Sequence, residues 1–122
     1  MLRFTATECG SKVEDGSIIC GASNSKDRAT EWHSLIFVRG VNGDDDGPYF
    51  ELDDQSQGFH NGVSAVSFRG STVSIELAPP LGRSFGHRTI IVELHCPSSQ
   101  VKRFKKGLRT VFRDMPERVR DA

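Results

Sequence analysis

Two stretches in the second half of the chain, "TVSIELA" from Thr72 and "RTIIVELH" from Arg88, place an apolar side chain at every second position. Val73, Ile75 and Leu77 alternate with Ser74 and Glu76, and Ile90, Val92 and Leu94 repeat the pattern. A period of two sends successive side chains to opposite faces of a strand, so this chain must build sheet with one face buried. "LRFTATE" from Leu2 alternates in the same way. "SIICGA" (17–22) and "YFELD" (49–53) read as further strands, and "VSAVSFRGSTVSIELA" (63–78) as a hairpin turning at Arg69, Gly70 and Ser71. In "WHSLIFVRG" (32–40), Leu35, Ile36, Phe37 and Val38 are apolar on both parities, which predicts a central strand covered on both faces.

Only the last segment has a helical period. Val101, Phe104, Leu108, Val111 and Phe112 fall on one stripe of a helix over 98–113, with Ser98 or Ser99 as its N-cap. Gly107 lies beside that stripe and predicts a close approach to a sheet. "CGSKVEDG", "SNSKDRATE", "DQSQGFHNG" and "PPLGRSFGH" read as turns and loops. The expected fold is α+β: a mainly antiparallel sheet of about six or seven strands packed against one C-terminal helix. Its 122 residues suit one domain over 1–114, with 115–122 as a flexible tail.

No apolar run approaches the roughly 20 residues of a membrane span. The opening "MLRFTATECG" has no signal-peptide core, so the expected location is the cytoplasm. Three cysteines at unrelated spacing, Cys9, Cys20 and Cys96, predict reduced thiols rather than a disulfide framework. The net charge is zero but divided. Residues 1–60 hold five Lys/Arg against eleven Asp/Glu, a net −6, and residues 61–122 hold the reverse, a net +6. One surface can then be acidic and another basic, unless the two halves interleave.

The densest polar stretch runs from "NGDDDG" (42–47) into "YFELDDQSQG" (49–58). Over 42–53 the oxygens are spaced rather as in a calcium loop. Asn42 stands where such a loop has aspartate and Asp53 where it has glutamate, and strands rather than helices flank it. Glu51 and Asp53 share a strand face, but nothing suggests the unlike environments that paired-carboxylate catalysis needs. His33, His60, His87 and His95 show no metal-ligand spacing, and no phosphate-loop, dinucleotide or nucleophile-elbow motif occurs. The basic side of helix 98–113 could grip phosphates, but no aromatic residues interleave with its cations. These residues point to a binding module without a cofactor. A calcium loop at 42–53 and a nucleic-acid grip at 98–113 remain as alternatives.

The string "YFELDDQSQGFHNGVSAVSFRGSTVSIEL" resembles the central block of the immunity protein 10 family, small proteins encoded beside bacterial polymorphic toxins. The resemblance rests on an aromatic strand with Tyr49, Glu51, Asp53 and Gln55, a loop with Gly58 and Gly62, and the hairpin 63–78. "DGSIICGAS", "SLIFVRG" and "RTIIVELHCPSSQVKRFKKGLRTVF" are similar to flanking elements in the same order, so it spans about residues 2–113. The loops "GDDDG" and "PPLGRSFGH" depart from the family pattern. The resemblance implies a non-enzymatic protein that neutralises a cognate toxin domain, encoded by a neighbouring gene, through direct binding. The charge cluster makes Asp44, Asp45, Asp46, Glu51, Asp53 and Asp54 candidates to meet a basic toxin site. Tyr49, Phe59 and Trp32 are candidate aromatic anchors, with core packing as the other reading for each.

Overall fold

In the computed structural model, which describes residues 1–24, 32–41, 47–53 and 58–121, the alternating stretches form two five-stranded sheets with two helices. One sheet contains β1 (Leu2–Ala6), β7 (Val63–Arg69), β8 (Thr72–Leu77), β9 (Thr89–Leu94) and β10 (Val119–Asp121) in the order β1-β9-β8-β7-β10. β7, β8 and β9 are antiparallel, and β1 and β10 add in parallel at the two edges. The other sheet runs β2 (Glu8–Glu14), β3 (Ser17–Ser23), β4 (Ser34–Gly40), β5 (Tyr49–Leu52) and β6 (Gly58–His60), antiparallel throughout.

The domain is α+β and mostly antiparallel, as expected, but it has two sheets where the alternation predicted one. Periodicity says that a strand has a buried face; it does not say which strands share hydrogen bonds. The two sheets bury their apolar faces in one core, with Phe37 and Phe50 from the second sheet and Phe68 from the first all fully buried. Strands β2 and β6, read as loop, are edge strands. "ECGSKVE" and "GFH" have too few apolar residues to register as strands. β1 runs into β2 with only Thr7 between them, so a single extended segment passes from one sheet to the other.

The hairpin β7–β8 forms with a bulge between Val63 and Ala65, where the Ser64 hydroxyl donates to the Glu76 carbonyl at 3.1 Å. The bulge lets Val63 and Val66 both face inward.

Helix α2 (Ser98–Val111) is the predicted C-terminal helix, and it buries Phe104, Gly107, Leu108 and Val111. Pro97 rather than a serine precedes its first turn, and no side chain caps it. The helix lies on the inner face of the second sheet. A methyl group at Gly107 would come within 2.7 Å of the Ser11 Cβ and closer still to the Cys20 sulfur. Phe104 meets Phe68 edge-on at 6.3 Å, which ties the helix to the first sheet as well. Arg39 points inward from β4 and anchors the far end of α2 by donating to the Val111 carbonyl and to Asp114.

A short second helix, α1 (Pro79–Phe85), occupies the segment read as a Pro/Gly loop. Prolines fit its first turn, where their missing N–H groups would have no helical partner. Leu81 packs onto Gly62, where any side chain would collide with it. Residues 115–121, read as tail, contain a 3-10 turn at Pro116–Arg118 and then β10, which pairs with Val66–Phe68. Val119 is buried there.

The charge asymmetry follows the architecture. β2 to β6 come wholly from the acidic half of the chain, while β7 to β10 and α2 come from the basic half.

Candidate partner-docking face

The outer faces of the two sheets differ in chemistry. On the first, Thr5, Thr72, Ser74, Glu76, Thr89 and Glu93 surround Ile91, and Arg3 pairs with Glu93 at 3.7 Å. On the second, register aligns Lys12, Ile19, Val38, Tyr49 and His60 in one row and Gly10, Gly21, Ile36, Glu51 and Gly58 in the next. Three aliphatic side chains, Ile19, Ile36 and Val38, thus stand half-buried on a face that no other element covers among the described residues. "SLIFVRG" predicted a strand covered on both faces. β4 is central, but only its Leu35 and Phe37 side is sealed. The run of apolar residues marks an exposed apolar face here, a signal that sequence reading took for core.

Gly10 and Gly21 lack side chains beside Ile19 and Ile36, leaving a hollow of about 410 Å³. Glu8, Lys12, Ser23 and Ser34 contribute to its lining. An apolar floor with a polar rim is the general anatomy of a protein-binding patch.

Tyr49 and Glu51 form a fixed unit on this face. The Tyr49 hydroxyl donates to Glu51 Oε1 at 2.9 Å, and the ring lies 5.1 Å from that of His60. The ring also covers Gly58, where no side chain would fit beneath it. Desolvation, then the hydrogen bond and charge of Glu51, hold the Tyr49 hydroxyl above its ordinary pKa. It therefore remains a donor, and Glu51 keeps one oxygen engaged.

The other candidates go elsewhere. Asp53 adopts φ 67° and turns back on its own sheet. Its Oδ1 accepts from the Ser34 N–H at 3.1 Å, both of its oxygens lie 3.3 Å from His33 Nδ1, and its N–H donates to the Ser34 carbonyl at 2.7 Å. Asp53 is thus a latch between the end of β5 and the start of β4. Phe59 pairs with Phe50 and shares its inward face; it is 39% exposed and meets Phe85 edge-on at 5.7 Å. Phe59 and Tyr49 therefore lie on opposite sides of the sheet. Trp32 is 49% exposed rather than core. Asp44, Asp45, Asp46 and Asp54, with much of the proposed calcium loop, lie outside the described residues.

Among the described residues no cluster of three or more His, Cys, Asp or Glu could hold a metal ion. On the basic helix, Lys105 and Arg109 both pair with Asp121, and Arg113 donates to the Gly40 and Thr110 carbonyls. No helix among the described residues is long and apolar enough to cross a membrane. In comparisons with known proteins, no family model, no curated protein and no solved structure matches the chain.

Proposed function

We propose that this chain is an immunity protein that neutralises a cognate polymorphic toxin domain by direct protein–protein binding, with no catalysis of its own. The observation that carries the proposal is the outer face of the second sheet. It combines half-buried aliphatic residues, a hollow beside Gly10 and Gly21, and a Tyr49–Glu51 pair already held in position. A rigid aromatic with a polar tip, set beside an apolar depression, matches the make-up of binding hot spots. The sequence resemblance set out above supplies the class of partner. Glu51 and the aspartates of 44–46 supply the charge that would steer a basic toxin surface. The nucleic-acid reading of helix 98–113 has less support, because Asp121 engages two of its cations.

The test is co-expression of the full chain with the C-terminal domain of the protein encoded upstream, scoring host growth and co-purification. Rescue with a stable complex is expected. Ile36→Asp and Glu51→Lys should abolish rescue while the variants stay folded by circular dichroism. The triple change Asp44→Lys, Asp45→Lys, Asp46→Lys should weaken binding strongly. Toxicity without a complex overturns the proposal. Rescue that survives Ile36→Asp and Glu51→Lys moves the interface off this face.

A further inference from the structure

A second hollow lies on a different part of the molecule, where α1 turns into β9. Gly86 ends the helix in the left-handed region at φ 74°, and the chain doubles back through His87 and Arg88. Gly82 permits the reversal: a Cβ there would lie 3.2 Å from the His87 carbonyl and 3.4 Å from the Arg88 Cα. Arg83 and Arg88 are thereby gathered around one space of about 360 Å³, lined by Pro79, Gly82, Arg83, Gly86, His87 and Arg88.

Its electrostatics are one-sided. Among the described residues no carboxylate lines it. Among the described residues, neither Arg83 nor Arg88 makes an ion pair or a side-chain hydrogen bond, in contrast to Arg39, Arg109 and Arg113. The third polar residue that lines it, His87, is half-buried.

We infer that the Arg83–His87–Arg88 hollow binds a phosphate monoester. A guanidinium is a planar fork of donors that matches phosphate oxygens two at a time, and two forks around one hollow can engage a dianion from both sides. The space exceeds what a bare phosphate needs, so the organic part of a small ester fits as well. An extended nucleic acid would need a cationic track, and Lys105 and Arg109 of α2 are turned to Asp121. The site is independent of the docking face, because none of its residues lies on the second sheet.

The experiment is calorimetric titration of the full chain with phenyl phosphate, with inorganic phosphate and sodium chloride as comparisons. Saturable binding of phenyl phosphate is expected, with at least a tenfold loss of affinity in Arg83→Gln and in Arg88→Gln. Both side chains are exposed and without partners among the described residues, so these variants should melt as the parent does. Lys102→Gln with Lys106→Gln, which removes two exposed cations of α2, should leave binding unchanged. Equal loss in that control, or no saturable heat from the parent chain, overturns the inference. A short single-stranded oligonucleotide that binds more tightly than phenyl phosphate, with affinity falling steeply in salt, also overturns it and replaces the small ester with nucleic acid.

Discussion

The guanidinium of Arg39, only 7% exposed, holds the Asp114 carboxylate by both oxygens at 2.5 and 2.9 Å. It also satisfies the Val111 carbonyl at 2.9 Å, one of those left open at the end of α2. This contact fastens the helix to the middle strand of the second sheet.

The Arg39 hydrogen bond is the first reason that the Asp114 carboxyl drops from 3.8 to about 2. A group whose folded pKa is depressed contributes stability above its unfolded value and loses it as pH falls through the folded one. The urea midpoint of the native chain should therefore fall as pH drops from 3.8 toward about 2. Asp114→Asn should lower the midpoint at neutral pH and flatten that acid limb. An unchanged acid limb in the variant would assign the transition to other carboxylates.

Gly107→Ala should destabilise the protein, although alanine favours helix by about 1 kcal/mol over glycine. The added methyl would enter space held by Cys20 and Ser11, and overpacking of that kind costs about 1–3 kcal/mol. Cys20→Ala in the same chain should recover part of the loss, and a double-mutant cycle from urea melts measures the coupling.

Asp53→Ala should act on stability before it acts on any partner. It removes the acceptor for the Ser34 N–H and the contact with His33, and it leaves alanine at φ 67°. A loss of about 1–3 kcal/mol is expected from the unpaired groups. Asp53→Asn should recover much of it, because asparagine tolerates the left-handed region and keeps an acceptor. Thermal unfolding of both variants checks the order.

The thiols of Cys9 and Cys20 should resist alkylation in the native state. Burial pushes Cys20 up to about 12; burial first, then the adjoining Cys96 thiol, takes Cys9 to about 12. Thiolate is the reactive form, so iodoacetamide at pH ~8 should label both slowly in the folded chain and readily in urea. Intact mass and peptide mapping give the answer.

Strands with one sealed face, such as β8 and β9, were legible in the sequence because their pattern is set by the core they face. The edge strands β2, β6 and β10 were not. Unlike the edge strand β1, whose Phe4 and Ala6 are buried, these three bury few apolar side chains and leave no alternation to read. Phe104, Leu108 and Val111 announced α2, but α1 was hidden, since Pro79, Pro80 and Gly82 read as loop until Leu81 is seen against Gly62. For the candidate site, Tyr49 and Glu51 were singled out from residue type, and the structure places them side by side on the outer face of β5. The contacts of Asp53 were not legible, because its left-handed backbone turns the carboxylate back onto His33 and Ser34. Ile36 and Val38 were taken for core because hydrophobicity alone does not say whether a sheet has a second neighbour.

The passage of one segment through both sheets governs the order in which a newly made chain can acquire its shape. Residues 8–60 contain every strand of the second sheet, so that sheet can pair while synthesis continues. The first five-residue strand must wait for its partner, because Leu2 meets Ile90 and Ala6 meets Leu94. The helix that covers Cys20 and Phe37 begins only at Ser98. Until it emerges from the ribosome, the nascent sheet holds its oily side bare, the condition in which partly made domains aggregate or recruit chaperones.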